Sequence, residues 1–207
     1  TSRSSTTTPA NEQYETPAFG WGGNAALRWT GDVYGVEIGA DLRTADGETR
    51  ERFSFIGGQF RRNRIAGGRT LTAGAYVEGW REAGDWLFTG GARVDVYRAW
   101  EGSRVERLIA TGATVLEFTT EDTETVAPTA RFGLRREFGE LFVHSAAYAG
   151  FRPPTLNELH RPFRVGNDVT EANAALEPER IVGFDLGVGG AYANWSWEAG
   201  VFATRLD

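Results

Sequence analysis

The sequence is distinguished first by residues that it does not contain. It has no cysteine and no methionine, and all 22 of its basic residues are arginine. Without cysteine there is no disulfide, no zinc–thiolate site and no thiol nucleophile, and cysteine pairing does not indicate the cellular compartment. The formal net charge of −6 and the pI near 5.1 argue against a nucleic-acid partner, because such proteins usually present a basic surface.

Targeting, membrane-helix and catalytic patterns are absent as well. No stretch approaches the roughly 18 consecutive apolar residues that a membrane helix needs. Residues 1–13 have neither an initiating methionine nor the apolar centre of a signal peptide. The sequence contains no P-loop, no dinucleotide-binding fingerprint and no Gly-x-Ser-x-Gly elbow, so we predict no enzymatic activity and no cofactor.

The two histidines do not form a pattern typical of a metal centre. Neither His144 nor His160 lies at ligand spacing from another histidine, and there is no cysteine to complete a set. We therefore predict no metal site. His144 shares a strand face with Phe142 and Ala146 and is predicted to be a polar residue that lines the interior of the fold.

The sequence does contain a two-residue alternation of apolar with small or polar residues, which is the period of a β-strand. Trp21, Val36, Phe88 and Phe184 belong to the apolar set. About eight such strands and no convincing helix are predicted, so the fold class is all-β. The strands fall at 19–29, 34–43, 71–78, 86–97, 130–135, 141–152, 182–188 and 195–204.

Short and long connections alternate along the chain. The short ones fall near 30–32, 83–85, 137–140 and 190–194, and the long ones near 50–69, 98–125 and 152–178. Outer-membrane barrels have short turns on one side of the bilayer and long loops on the other, with apolar residues towards lipid. Trp29, Trp86 and Trp195 lie beside short turns, where aromatic rings favour the membrane interface. The pattern therefore favours an antiparallel meander whose apolar face is covered by a bilayer.

Two alternatives are consistent with the same alternation. A soluble or surface-exposed β-sheet binding module would also have one apolar face on each strand. An autonomous eight-stranded outer-membrane barrel has a permitted strand number, but its narrow interior must be filled by side chains. Glycines at interior positions argue against that small barrel: Gly20, Gly22, Gly35, Gly39, Gly74, Gly91, Gly133, Gly183, Gly187 and Gly200.

One segment, residues 148–188, resembles a signature of the TonB-dependent outer-membrane receptors of Gram-negative bacteria. In that family a strand ends in a Phe-Arg-x-Pro-Thr-Leu-x-Glu-Leu type motif, and an Asn-Pro-x-Leu-x-Pro-Glu type motif begins the next strand. Ala174 departs from the usual proline of the second motif. The segments 75–97 and 126–150 also look similar to the family. The matching motif positions are Phe151, Arg152, Pro154, Thr155, Leu156, Glu158, Leu159, Asn173, Leu176, Pro178 and Glu179.

The prolines of this segment have a structural reason that is independent of the resemblance. Pro153 and Pro154 cannot donate hydrogen bonds to a sheet, so we expect them to end the strand that begins at Leu141. Pro178 is expected to fix the backbone just before the strand that begins at residue 179.

The resemblance implies a function and a larger context. It implies an outer-membrane receptor that takes up a ferric siderophore, a similar metal chelate or another nutrient, driven by TonB. Such receptors close about 22 strands around a plug, so we expect residues 1–207 to be a partial barrel domain, with the plug, the segment that engages TonB and the terminal strand lying outside them. Outer-membrane lipid and lipopolysaccharide are the further expected partners.

Candidate ligand-binding residues lie in the long connections. Arginine offers planar, charge-assisted hydrogen bonds to anionic ligands, and aromatic side chains add stacking and cation–π contacts. Lipopolysaccharide phosphates or plain solvation would explain the same arginines. The candidates are Phe53, Phe55, Phe60, Arg61, Arg62, Arg64 and Arg69 in the first connection and His160, Arg161 and Arg164 in the last.

Overall fold

A computed structural model describes the backbone of residues 2–3, 9–165 and 168–207 and the side chains of residues 11–162 and 170–207. No helix in these ranges is long and apolar enough to cross a membrane. The elements in chain order are β1 (Ser2–Arg3), β2 (Pro9–Glu15), β3 (Ala18–Thr30), β4 (Tyr34–Ile56), β5 (Gln59–Ala83), β6 (Trp86–Leu108), β7 (Thr114–Thr119), β8 (Thr123–Phe138), β9 (Leu141–Arg152), α1 (Leu156–His160), β10 (Phe163–Val165), β11 (Asp168–Thr170), β12 (Glu179–Tyr192) and β13 (Trp195–Leu206).

The long strands form one antiparallel meander. Within the described residues the main sheet has 11 strands, and β3, β4, β5, β6, β8, β9, β12 and β13 pair in that order. The predicted set of about eight strands is therefore confirmed. Strand β9 ends at Arg152, directly before the two prolines, and β12 begins at Glu179, directly after Pro178, as predicted.

Four tight turns join these strands at one end of the sheet, as predicted. Two of them contain a glycine with a positive φ, 60° at Gly84 and 66° at Gly139, a conformation that costs glycine little. We call the opposite end of the sheet the loop end.

Two predicted long connections are wrong, because strands occupy most of both. Residues 50–69 are the far part of a hairpin in which β4 and β5 stay paired up to Ile56 and Gln59, and Gly57 and Gly58 form its tip. In 98–125, β6 continues to Leu108 and β7 pairs back onto it. The third predicted connection, 152–178, has no strand in the main sheet and contains α1 and the separate β10–β11 pair.

The sheet has one apolar and one polar face, because successive side chains of a strand point to opposite sides. No described element covers the apolar face. The exposed fractions there are 56% for Trp21, 39% for Val36, 38% for Phe88 and 50% for Phe184. A soluble β-sheet module would bury these side chains against a second layer.

The apolar face is a belt of limited height. On β5 it extends over residues 71–79, between Arg69 at the loop end and Arg81 at the turn end. On β6 it extends from Phe88 to Val96, and Arg98 follows. About nine to eleven tilted strand residues span the hydrocarbon core of a bilayer, so the height of this apolar belt matches a membrane.

The polar face explains the glycines on the strands. Gly39 lies under the ring of Tyr76 on the neighbouring strand, and a Cβ there would be 2.5 Å from Tyr76 Cζ. Gly187 lies in the same way under His144. Neighbouring side chains thus cover these positions. The alternative of a closed eight-stranded barrel is wrong, since β3 and β13, both fully described, do not pair with each other.

Candidate functional site

At the loop end, a short segment folds onto the polar face of β5 and β6. We call residues 153–162 the strap. Its helix α1 begins with a capping box, in which the Glu158 backbone N–H donates to Thr155 Oγ1 at 3.3 Å and the Thr155 N–H donates to Glu158 Oε2 at 2.8 Å. Leu159 is buried against Tyr97 and Ala99, and the Tyr97 hydroxyl donates to the Pro154 carbonyl at 3.1 Å. These contacts hold the strap against the polar face of the sheet, which we call the wall.

An arginine clamp closes the base of the strap. Arg152 donates to both carboxylate oxygens of Glu179 at 2.9 Å, and to those of Glu158 at 3.1 and 3.2 Å. These bonds favour the ionised acids, so the guanidinium lowers the pKa of Glu158 to about 2 and lowers that of Glu179. The pKa of Arg152 is raised by the same two carboxylates.

The clamp brings the two halves of the sequence motif together. Arg152 and Glu158 belong to the first half and Glu179 to the second. The Asn173 N–H also donates to the Glu158 carbonyl at 3.1 Å, and its side-chain oxygen accepts from the Ala175 N–H at 3.0 Å. These residues therefore secure the chain where it leaves and re-enters the sheet.

His160 fills a notch in the wall. The backbones of Gly68 and Gly102 line it, and a Cβ on Gly102 would overlap the His160 ring. The β5–β6 register shifts between Gly67 and Arg69, which opens the sheet there. His160 is 5% exposed and neither ring nitrogen has a hydrogen-bond partner among the described residues. Burial lowers its pKa.

Under the end of the strap, where Arg64 donates to the Pro162 carbonyl at 3.4 Å, four arginines surround two buried carboxylates. Glu51, with no exposed surface, accepts from Arg64 at 2.9 Å, from Arg161 at 3.0 Å and from the Asn11 amide at 2.8 Å. Glu106 contacts Arg64 at 3.0 Å. It also contacts Arg62 at 3.6 Å and Arg104 at 3.7 Å. We call Arg62, Arg64, Arg104 and Arg161 with Glu51 and Glu106 the vestibule cluster. These six groups carry a formal net charge of +2, and Glu171, which accepts a hydrogen bond from Arg104 at 3.2 Å, reduces it to +1.

Five of the predicted ligand-binding residues meet on the polar face at this cluster. They are Phe53, Arg62, Arg64, His160 and Arg161, with Arg64 lying over the Phe53 ring at 4.0 Å.

The other candidates lie elsewhere. Arg61 and Arg69 occupy the opposite face of β5, where Arg69 pairs with Asp46 at 2.9 Å. Phe55 and Phe60 pack edge to face at the hairpin tip, with 5.0 Å between ring centroids. The side chain of Arg164 lies outside the described residues.

Deeper on the polar face, charged side chains pair along the wall. Arg93 bridges Asp41 and Asp95 with bonds of 2.5 to 3.1 Å. The Tyr76 hydroxyl donates to Glu37 at 2.7 Å. His144 lies on this face, as predicted, with Nε2 3.0 Å from Glu198. In the described part of the chain, no group of three or more His, Asp and Glu residues is placed to hold a metal ion.

The whole sequence, residues 1–207, matches the family described as TonB dependent receptor-like, beta-barrel. The chain belongs to this family. A search of curated proteins finds none that matches.

Two solved structures share the fold of this TonB-dependent receptor chain. Copper transporter OprC superimposes with a TM-score of 0.72 at 16% identity, over 92% of this chain and 30% of that one. The ferric yersiniabactin uptake receptor FyuA from Yersinia pestis gives 0.67 at 11% identity, over 92% and 29%. The chain thus spans under a third of either structure and is part of a large transmembrane β-barrel.

The sequence reasoning missed three members of the vestibule cluster: Glu51, Arg104 and Glu106. Each lies two residues from another charged or aromatic residue on the same strand, so alternation would have placed them on one face. This two-residue spacing of charged residues is visible in the sequence. It indicates a shared face only if these residues form strands, and they were predicted to be loops.

Proposed function

We propose that this chain is part of the wall of an outer-membrane, TonB-dependent active-transport receptor, which binds and imports its substrate and catalyses no reaction. Membership of the receptor family supports the proposal, together with an apolar belt of bilayer height that no described element covers. The plug, the TonB-engaging segment and the remaining strands would come from sequence outside these residues. The chain covers 30% and 29% of the two solved relatives.

We infer that the substrate is an anionic metal chelate, such as a ferric siderophore. The observation that carries this inference is the excess of guanidinium groups in the vestibule cluster. Arg62 is 43% exposed and pairs with Glu106 only at 3.6 Å, so it can bind a carboxylate, catecholate or hydroxamate oxygen. Arg64 and Arg161 are 12% and 16% exposed and are held by Glu51. These two arginines hold the other side chains of the vestibule cluster in place.

Within these residues, which span under a third of either solved relative, the composition favours a chelate over a free copper(I) ion. Soft thiolate and thioether ligands select copper(I), and this chain has no cysteine and no methionine. The name of one relative refers to copper and that of the other to a ferric siderophore. Of these two, we propose the second as the better guide to the cargo.

Lipid and lipopolysaccharide are the proposed surroundings of the apolar face. Arg98 and Arg180 lie on this face at the loop end of the belt. Guanidinium groups at that height can bind the phosphates of lipopolysaccharide.

Uptake by cells that carry the complete gene tests this proposal. The probes are radioiron bound to a tris-catecholate, a tris-hydroxamate or citrate, with copper(II) chloride as the free-ion comparison. We expect uptake of at least one ferric chelate, and none after deletion of TonB. Uptake that persists without TonB, or of copper ion alone, would contradict the proposal, as would a monomeric protein that stays soluble without detergent.

Binding by variants tests the assigned site. Replacing Arg62 by Gln should weaken binding of the imported chelate about tenfold or more, since its exposed guanidinium makes a charge-assisted contact with the chelate. Arg61→Gln is the matched control, because Arg61 lies on the same strand but on the opposite face. An equal loss of affinity in the vestibule variant and in Arg61→Gln would show that the binding site lies elsewhere.

A further inference from the structure

We propose that the strap is a proton-controlled latch over the vestibule cluster: neutral His160 seats it in the glycine notch, and protonation of His160 releases it while the Arg152 clamp holds its base.

The notch is shaped for an uncharged ring. Gly68 and Gly102 provide space that a side chain at either position would take, and the Thr120 hydroxyl lies at the same place. Neither His160 nitrogen has a partner among the described residues. An imidazolium has two N–H donors and a full charge. Burying such a charge without a partner is strongly unfavourable.

The carboxylates on the elements around His160 are already occupied. Glu101 on β6 pairs with Arg69 at 3.1 Å, and Glu106 on the same strand is held by Arg64. Glu158 on α1 pairs with Arg152.

The remaining charged neighbours do not provide a free carboxylate for protonated His160 either. Asp122, close to Thr120 in the chain, pairs with Arg98 at 3.0 Å. The adjacent Arg161, bound to Glu51, adds positive charge next to the ring. Protonation of His160 in the docked strap is therefore not offset by a free acid.

The direction of the pH effect follows from linkage. Since burial lowers the pKa of docked His160, the released strap binds more protons than the docked strap. Docking is fully stable above the ordinary histidine pKa of about 6.5 and weakens as the pH falls below it, down to the lower docked pKa.

The clamp stays closed over that range. The pKa of Glu158 is about 2, so its ion pair with Arg152 persists when His160 has already gained its proton. The strap would therefore swing on a fixed base. Its movement takes Arg161 away from Glu51 and opens the vestibule cluster to the exterior.

Spin-label distances in the complete receptor test this latch. Labels are attached to cysteines introduced at Asn157, exposed on the strap, and at Gln59, exposed at the β4–β5 tip. Residues 1–207 contain no cysteine of their own that would also be labelled. Distances between the two spin labels are recorded by double electron–electron resonance from about pH 7.5 to about pH 4.5, a range in which histidine titrates.

We expect one short distance at neutral pH and a longer, broader distribution in acid. His160→Gln and His160→Phe should keep the short distance throughout, and His160→Arg should lose it at every pH. His144→Gln, at the other histidine, should behave like the native receptor. The latch is wrong if the native distances do not change with pH, or if the Gln and Phe variants change as the native protein does.

If the strap does not dock in His160→Gln or in His160→Phe, one further variant still tests the proposal. Thr120→Asp places a carboxylate beside the ring, which favours a docked imidazolium. We expect the transition to move to lower pH. An unchanged transition would overturn the proposal.

Discussion

Arg152 and Glu179 face each other as the last residue of β9 and the first residue of β12, joined by two hydrogen bonds of 2.9 Å. They are also direct partners in the sheet register. Since the same guanidinium reaches Glu158, one side chain connects both ends of the excursion with its helix.

Removing this guanidinium should loosen the strap. Arg152→Gln is expected to raise hydrogen exchange of the α1 amides about fivefold, a modest effect because the clamp is partly exposed. Arg152→Lys should restore only part of the protection, because an ammonium cannot form the two parallel bonds. Arg205→Gln, at an exposed pair remote from the strap, is the control. Equal protection in all three variants would contradict the clamp.

The titration of Glu158 provides a direct measure of the same contact. Its contribution to stability is present above the ordinary glutamate pKa of about 4.3 and is lost as the pH falls through its own pKa of about 2. Carboxyl carbon NMR should show this low midpoint in the native protein and a rise in Arg152→Gln. A midpoint near 4 in the native protein would refute the contact.

Glu51 is expected to be the most sensitive position of the vestibule cluster. Glu51→Gln leaves Arg64 and Arg161 without their buried counter-charge, and breaking a buried pair in this way costs about 3–5 kcal/mol. Glu12→Gln, at the exposed pair with Arg52, should cost about 0–1 kcal/mol. The free energy of unfolding in lipid vesicles, from urea titration, compares the two. Similar values would mean that Glu51 is not a structural centre.

A pair of glycines tests the packing of the wall. Gly39→Ala should destabilise by about 1–3 kcal/mol, because its Cβ displaces Tyr76 and with it the hydrogen bond to Glu37. Gly23→Ala has nothing within 4 Å of the added atom and should be nearly neutral. The same urea titration measures both changes. A costly Gly23→Ala beside a neutral Gly39→Ala would contradict the packing.

The alternation predicted the part of the fold that lies in the belt. Val36 and Phe88 belong to an apolar set with a period of two, which is the pattern of strands that have an apolar face and a polar face. Beyond the belt this contrast disappears, since both faces are polar. There Glu51 pairs with Arg64 across β4 and β5, so the strands continue without an apolar signal. This is why residues 50–69 were predicted as a loop.

The site was harder to predict for a related reason. The arginines were recognisable by type, but their faces depend on strands that the pattern did not reveal. Arg161 reaches Glu51 across 110 residues of sequence, a contact that only the folded strap creates. The notch for His160 depends on the register shift beside Gly68, which leaves no mark in the sequence.

The central claim is that hydrocarbon covers the apolar face, and two adjacent residues at mid-height of β9 test it. Ala147 lies on the apolar face between Phe132 and Phe184, and Ala146 lies on the polar face opposite Asp185. The decisive measurement is the folding free energy of Ala147→Arg and Ala146→Arg in lipid vesicles. We predict a loss of about 2–4 kcal/mol for Ala147→Arg and a change below about 1 kcal/mol for Ala146→Arg, which gains a carboxylate neighbour. Equal costs, or a larger cost for Ala146→Arg, would contradict the account.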